Sequence, residues 1–187
     1  NDPKVCAEMH NDKHCIKMIL EYSQLLSTAH RVLDGTETVG LSKTGRKQTR
    51  YVLPDDRETK LYSATHINHP SAVWVRQSHN NYFWLSELLV ELCKEYTYRY
   101  GKRHKSQDVI EWCFINKPNL PELGFTEPPK AMPDEFKVKD VVESYRNYYR
   151  GPKSKFATWK NREIPTWFLT NFNNSVLASS HEIGNFV

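Results

Sequence analysis

Residues 6–33 read CAEMHNDKHCIKMILEYSQLLSTAHRVL, and this segment sets the architecture of the chain. Its apolar side chains recur close to the 3.6-residue period of an α-helix, which predicts one buried face. Gly35 follows as a typical stop signal at a helix C-terminus. We therefore expect one long helix over residues 6–34. Its predicted buried face consists of Cys15, Ile19, Tyr22, Leu26, Ala29 and Leu33.

A second long helix is predicted from Pro70 to the residue before Gly101. Proline is favoured at the first helical position, and glycine commonly follows the last one. The polar residues 79–81, His-Asn-Asn, leave two alternatives open: one kinked helix over 70–100, or two helices.

Three further segments complete the predicted architecture. Residues 36–60 form a basic loop, with or without a short hairpin. Five of the ten prolines fall within residues 114–133, which predicts an extended strap laid over the helices. A third helix, rich in aromatic and basic residues, is predicted over residues 134–150 and ends before Gly151.

Composition narrows the class of protein. The 187 residues are 39% hydrophobic and 26% charged and contain no internal repeat. This favours a single, compact, mainly α-helical domain over residues 1–168, with a loosely ordered tail over 169–187. No apolar run approaches the ~20 residues that span a bilayer, and four scattered cysteines do not describe a disulfide scaffold. We expect an intracellular monomer that is not secreted and has no membrane partner.

The face of the first helix opposite its apolar stripe carries a continuous polar line. One interpretation is a solvated surface with a Lys17–Glu21 ion pair, as on most amphipathic helices. The other is the floor of an active site, with Glu21 as acid/base and Lys17 or a histidine beside it. The line consists of His10, His14, Lys17, Glu21, Gln24 and Thr28.

Cys6, His10 and His14 fall at positions i, i+4 and i+8, which resembles one edge of a zinc site. His66 or His69 is available as a fourth ligand, but neither lies at a recognisable zinc spacing. A buried cysteine and surface histidines explain the pattern more simply, so we expect no metal. No P-loop or dinucleotide-binding glycine motif occurs, and we expect no cofactor.

Basic and aromatic residues point to nucleic acid. The net charge is +4, and 12% of the residues are aromatic. Between residues 137 and 162, eight basic residues alternate with aromatic ones, as in proteins that stack on unpaired bases. Before the second helix, Asn68 either caps the helix or, with its neighbours, binds phosphate. The predicted DNA contacts are Asn68, His69, Arg76, Arg146, Arg150 and Lys155, together with the loop at 43–50.

Several short motifs carry a resemblance to a known family. Asp12-Lys13-His14 is followed by Glu21, nine residues after the aspartate, and Asn68-His69-Pro70 opens the second helix. Residues 145–149 read Tyr-Arg-Asn-Tyr-Tyr. The combination resembles the pyrimidine-dimer DNA glycosylases, the UV-repair enzymes of the endonuclease V type, and is most similar to their phage-encoded branch. The similarity spans roughly residues 2–168.

The resemblance implies a compact all-α enzyme that acts on duplex DNA with a damaged or modified pyrimidine. Such an enzyme cuts the glycosyl bond and then nicks the strand by β-elimination, as an AP lyase. By motif position the essential glutamate is Glu21, with His14 and Lys17 on the same face. Gln24 departs from the family, which has a basic phosphate-binding residue there. Two alternatives stay open: a relative acting in phage modified-thymine metabolism, and a noncatalytic DNA-binding protein.

The nucleophile in this family is the α-amine of the processed N-terminus. Members of the branch usually carry several apolar residues before the position of Asp2. The nucleophilic amine is therefore expected upstream of this segment. If Asn1 is instead the natural terminus, Asp2-Pro3 would have to turn the chain back towards Glu21.

Overall fold

The computed structural model describes residues 2–42 and 44–169. Its secondary structure is mainly α-helical, which confirms the predicted fold class. Within the described ranges, each helix is too short or too polar to cross a membrane. The predicted tail, 169–187, lies outside these ranges except for Leu169. The helices are α1 (Pro3–Met9), α2 (Asp12–Asp34), α3 (Arg57–Lys60), α4 (Pro70–Gln77), α5 (His79–Tyr100), α6 (Gln107–Ile115) and α7 (Val141–Arg150).

Two compact units divide the chain. The first unit comprises residues 2–10 and 14–129. The second unit comprises Asn11–Lys13 and the residues from Lys130 onward. That residues 1–168 fold as one domain stays a prediction.

The predicted helix over residues 6–34 is wrong in one respect, because it is divided into α1 and α2 at His10. In a continuous helix, the Glu8 and His10 carbonyls would accept hydrogen bonds from amides four residues on. Instead they accept from the buried guanidinium of Arg99, at 3.0 Å and 2.9 Å. The same guanidinium binds Glu95 at 2.7 Å, so its charge is compensated inside the core.

The second long helix is likewise two helices, which confirms one of the two alternatives. Ser78 has extended backbone geometry, and its hydroxyl accepts a hydrogen bond from the amide of Asn81 at 3.0 Å. Ser78 therefore caps α5 at the point where α4 stops. Gly101 ends α5 with a φ of 63°, the left-handed conformation that glycine adopts without strain.

The core of the first unit is one hydrophobic cluster built mainly from α2 and α5. The predicted face of α2 is confirmed at Cys15, Ile19, Leu26 and Ala29, all of them fully buried. Helix α6, which the sequence analysis did not assign, adds Ile110 and Cys113 to this cluster. The α5 contribution is Tyr82, Leu85, Leu88, Leu89, Leu92 and Cys93.

Residues 36–60 contain the short hairpin that the sequence left open. Strands β1 (Thr36–Leu41) and β2 (Lys47–Val52) pair antiparallel. At their base the nearly buried Arg31 of α2 donates to the carbonyls of Tyr51, at 2.9 Å, and Leu61, at 3.1 Å. It also pairs with Glu58 at 2.6 Å. One buried cation therefore fastens both the end of the hairpin and the following loop to α2.

The proline-rich strap is confirmed over residues 116–133, which have no helix or strand apart from bends. Its first predicted residues, Phe114 and Ile115, belong instead to α6. The strap lies against α4 and α5, because Asn81 exchanges hydrogen bonds with Thr126 at 2.9 Å in both directions. Two such bonds replace the backbone pairing that a strand would have provided.

The third predicted helix, 134–150, begins late. Residues Asp134–Phe136 form one 3-10 turn, and α7 starts at Val141 because the Asp140 carboxylate accepts from the Glu143 amide at 2.7 Å. Val138, within the predicted helix, precedes α7 and is exposed.

Two histidines of the first unit are withdrawn from solvent, His30 fully and His10 partly. The His30 ring bonds the Tyr82 hydroxyl at 2.8 Å, and the His10 ring bonds the Cys6 carbonyl at 2.7 Å. Burial lowers the pKa of each histidine to about 4. The protonated form of either ring is therefore disfavoured in the folded protein.

We predict that acid destabilises the protein through these two histidines. In the unfolded chain their pKa is ~6.5, so between pH 6.5 and 4 the unfolded state binds more protons than the folded state. The free energy of unfolding should fall as pH drops through this window, by up to about 3 kcal/mol per histidine. Urea unfolding at pH 7.5 and pH 4.5, followed by circular dichroism, measures the change. An equally large fall in the His10→Gln/His30→Gln variant would contradict the assignment, and the exposed His66→Gln substitution is the control.

Candidate nucleic-acid interface

The predicted catalytic face of α2 contains an accessible ion pair. Lys17 Nζ lies 2.9 Å from Glu21 Oε1, with the two side chains 66% and 41% exposed. Their spacing of one helical turn makes this contact the one expected on a solvated helix. His14 is half-buried on the same face, one turn earlier. The structure thus brings the three predicted residues onto one surface and leaves the Glu21 carboxylate open to a ligand.

The polar line of α2 ends at the loop before α4. Thr28 is fully buried, and its hydroxyl accepts from the Thr65 amide at 3.2 Å. Thr65 in turn bonds the His66 ring at 2.8 Å. The predicted catalytic helix is therefore hydrogen-bonded to the loop that leads into the Asn68-His69-Pro70 motif, although Glu21 lies two turns, about 10 Å, from Thr28 along the axis.

The turn before α4 has its own local order. His69, rather than Asn68, is the N-cap, and its ring accepts from the Ser71 amide at 3.2 Å. His66 has a φ of 49°, a conformation that costs a non-glycine residue energy and persists only when its surroundings hold it. Asn68 is exposed, directly before the cap. Asn68 and His69 therefore face solvent at the start of a helix.

Arg76 holds this turn together. Its Nη1 donates to the carbonyls of Ile67 at 2.8 Å and Ala72 at 2.9 Å. The side chain is half-buried, and burial lowers its pKa. Through these two bonds Arg76 holds the turn that precedes α4 and positions the neighbouring Asn68.

In the second unit, the predicted contact Arg150 is largely occupied by its own neighbours. Its side chain is only 14% exposed, and it donates to Glu143 at 2.7 Å and to the Trp167 carbonyl at 3.0 Å. Hydrogen bonding from Arg150 lowers the pKa of Glu143. Arg146 reaches the same carboxylate at 3.5 Å and lies over the Trp167 ring. Both arginines thus secure α7 to the segment around Trp167.

A different group of side chains in the second unit combines open charge with aromatic rings. Lys13 Nζ lies 4.3 Å from the centre of the Phe156 ring, and Lys153 Nζ lies 4.9 Å from that of Tyr148. These ammonium groups sit over rings rather than against carboxylates, a favourable contact that keeps their charge available. We call this group the aromatic-lysine cluster. Its members are Lys13, Phe136, Tyr148, Lys153 and Phe156, and the exposed Lys155 lies beside it in sequence.

Asp12 places Lys13 in this cluster. The Asp12 carboxylate accepts from the Thr158 hydroxyl at 2.7 Å and from the Lys160 amide at 2.9 Å. The Asp12 amide donates to the Thr158 carbonyl at 2.8 Å. Three bonds therefore tie the first turn of α2 to the segment that follows Phe156. The sequence analysis missed Lys13 and Lys153, because residues so far apart in the chain give no periodic signal.

The structure gives the Cys6, His10 and His14 pattern a simpler explanation than metal binding. His10 is not part of a helix continuous with α2, and its ring bonds the Cys6 carbonyl and, at 3.3 Å, the Tyr22 hydroxyl. Among residues 2–42 and 44–169, no three histidine, cysteine, aspartate or glutamate side chains gather as a metal site would need. That the protein requires no metal stays a prediction.

Comparison with protein-family models, curated proteins and solved structures gives no match to this chain. The resemblance to the pyrimidine-dimer glycosylases therefore rests on the motif residues alone. The geometry adds an accessible carboxylate beside an amine on α2 and a cationic, aromatic surface in the second unit.

Proposed function

We propose that this protein binds DNA through the aromatic-lysine cluster and acts on it as a glycosylase with AP lyase activity. The observation that carries the DNA-binding proposal is the placement of Lys13 and Lys153 over aromatic rings, where neither ammonium group pairs with an acid among residues 2–42 and 44–169. Lysines neutralise phosphates, and half-exposed rings offer stacking surfaces to unpaired bases. A site that does both is suited to a strand whose base has left the duplex stack.

The distribution of charge supports the same partner. Between Lys130 and Leu169 there are nine lysines and arginines against five aspartates and glutamates. Glu143 is already engaged by Arg146 and Arg150, and Asp134 by Lys137. The lysines of the cluster therefore keep a positive potential that attracts a polyanion.

We predict that Lys153→Gln/Lys155→Gln weakens binding to every duplex alike and lowers the slope of log affinity against log salt by about two, because two phosphate contacts are lost. Fluorescence anisotropy between 50 and 200 mM salt measures both quantities. The control, Lys137→Gln/Lys139→Gln, makes the same charge change in the same unit. Equal losses of DNA affinity in the two variants would show that the aromatic-lysine cluster contributes no more to DNA binding than other lysines of the second unit.

The reaction proposal rests on Glu21. An α-amine with a pKa of ~7.7–8.0 is partly neutral near pH 7 and attacks C1′ of the sugar, displacing the base. The C1′–O4′ bond then breaks, O4′ takes up a proton, and the sugar opens to an imine at C1′. The imine acidifies a C2′ proton, and removal of that proton expels the 3′-phosphate by β-elimination. A carboxylate beside C1′ stabilises the cationic sugar and carries these protons. The structure contributes the accessible carboxylate of Glu21. The type of reaction is inferred from the resemblance to the pyrimidine-dimer glycosylases.

We predict that Glu21→Gln lowers strand cleavage by at least ~100-fold while DNA affinity is retained, since glutamine keeps the shape but loses the charge and the proton relay. The control is Glu91→Gln, which removes the charge of another glutamate that is paired with a lysine on a helix, Lys94. Stability should change by under ~0.5 kcal/mol in both variants. Strand cleavage by Glu21→Gln at the wild-type rate would contradict the catalytic role of Glu21.

One assay separates this function from the two alternatives. Duplexes that carry a pyrimidine dimer, an abasic site or a modified thymine are incubated with the protein and reduced with borohydride, which traps an imine covalently. Trapping on dimers or abasic sites supports a glycosylase with AP lyase activity. Reaction confined to modified thymine indicates the modified-base relative, and binding without any reaction indicates a noncatalytic DNA-binding protein.

A further inference from the structure

The hairpin of β1 and β2 is fixed at its base and exposed along its length. Arg31 holds the Tyr51 carbonyl, and the Leu53 amide donates to Glu58 at 2.9 Å. A side chain at Gly35 would approach the Arg31 carbonyl oxygen to 2.4 Å, so the chain turns closely past the end of α2. An isolated two-stranded hairpin is marginally stable in water, and here its stability comes from this anchored base.

The tip of the hairpin is ordered by its own hydrogen bonds. The Ser42 amide donates to the Arg46 carbonyl at 2.8 Å, and the Ser42 hydroxyl accepts from the Arg46 amide at 3.1 Å. Gly45 has a φ of 77°, which only glycine adopts readily. Lys43 lies outside the described residues. The described residues of the turn, Ser42 and 44–46, are therefore tied together by hydrogen bonds.

One face of this arm carries two exposed apolar side chains among polar ones. Val39 is 71% exposed and Leu41 is 63% exposed. Their cross-strand partners are Thr49 and Lys47, so all four side chains share one face. Val39 and Leu41 thus form a small exposed apolar pair with polar side chains around it.

The charge of the arm is strongly positive towards its tip. Arg46 and Lys47 are exposed there, and Arg50 lies across Gly40, where its Nη2 donates to the Leu41 carbonyl at 3.1 Å. The acid on these strands, Glu37, lies at the opposite end of the arm from the tip. Lys47 therefore lies beside the exposed apolar pair, with Arg46 next to it in the chain, whereas Arg50 projects from the opposite face of the ribbon.

We propose that the hairpin is an arm that enters the major groove of duplex DNA, an inference that rests on the DNA binding proposed above. The groove is ~12 Å wide and admits a two-stranded ribbon, and six residues per strand give an arm about 20 Å long. Val39 and Leu41 contact thymine methyl groups, the apolar feature of that groove. Arg46, Lys47 and Arg50 contact the flanking phosphates.

Charge complementarity selects DNA over a second copy of this chain. Pairing two arms through this face would bring Arg46 and Lys47 of one copy close to the same cations of the other. Duplex DNA supplies both the negative charge and, in its major groove, methyl groups for the apolar pair. A single strand supplies the charge without a groove.

The decisive probe is a pair of duplexes that differ only in having thymine or uracil, which lacks the methyl group. The wild-type protein should bind the thymine duplex about fourfold more tightly for each buried methyl group. The Val39→Ser/Leu41→Ser variant should bind both duplexes equally. Absence of any thymine preference in the wild-type protein would overturn the inference without reference to a variant.

A charge-matched pair of variants tests the phosphate contacts. Arg46→Gln/Lys47→Gln/Arg50→Gln should reduce the salt slope for duplex DNA by two to three, whereas Lys4→Gln/Lys102→Gln/Lys105→Gln, which removes three exposed cations elsewhere in the first unit, should leave it unchanged. If the arm variant behaves like this control while Lys153→Gln/Lys155→Gln loses affinity, the arm inference is wrong and DNA binding by the second unit stands. If the wild-type protein binds no DNA, both proposals fail.

Discussion

The buried ion pair between Arg99 and Glu95 is the constraint on which the first unit depends. The Arg99 side chain is fully buried, and its guanidinium is satisfied by one carboxylate and by the carbonyls of Glu8 and His10. Removing either charge would leave the other buried and unpaired, at a cost of about 3–5 kcal/mol. By taking those two carbonyls, Arg99 ends α1.

The sequence predicts those features of the structure whose interacting residues lie close together in the chain. The buried face of α2 and the Lys17–Glu21 pair are local, repeating at one helical turn, and were predicted. The interruption at His10 was not, because its cause, Arg99, lies 89 residues further along the chain. The late start of α7 has a local signal, the Asp140 cap, that the helical pattern concealed.

The candidate interface was likewise predicted from the sequence only in part. The basic and aromatic composition of residues 137–162 pointed to the second unit, but it did not distinguish one cation from another. The structure shows Arg150 engaged with Glu143 and with the Trp167 carbonyl, whereas Lys13 and Lys153 lie over rings. Which cations stay available to a ligand depends on the carboxylates and rings that contact them in the folded protein. The amino-acid composition does not reveal these contacts.

The central claim is that the aromatic-lysine cluster binds DNA by stacking on a base, and photocrosslinking tests it most directly. A duplex carrying one unpaired 5-iodouracil is bound and irradiated, and the attached residue is identified by mass spectrometry. A base stacked on the cluster reacts with the ring it touches. The account predicts crosslinks at Tyr148 or Phe156, lost when Lys13 and Lys153 are both changed to glutamine. Crosslinks confined to other regions of the protein, at full DNA occupancy, would contradict it.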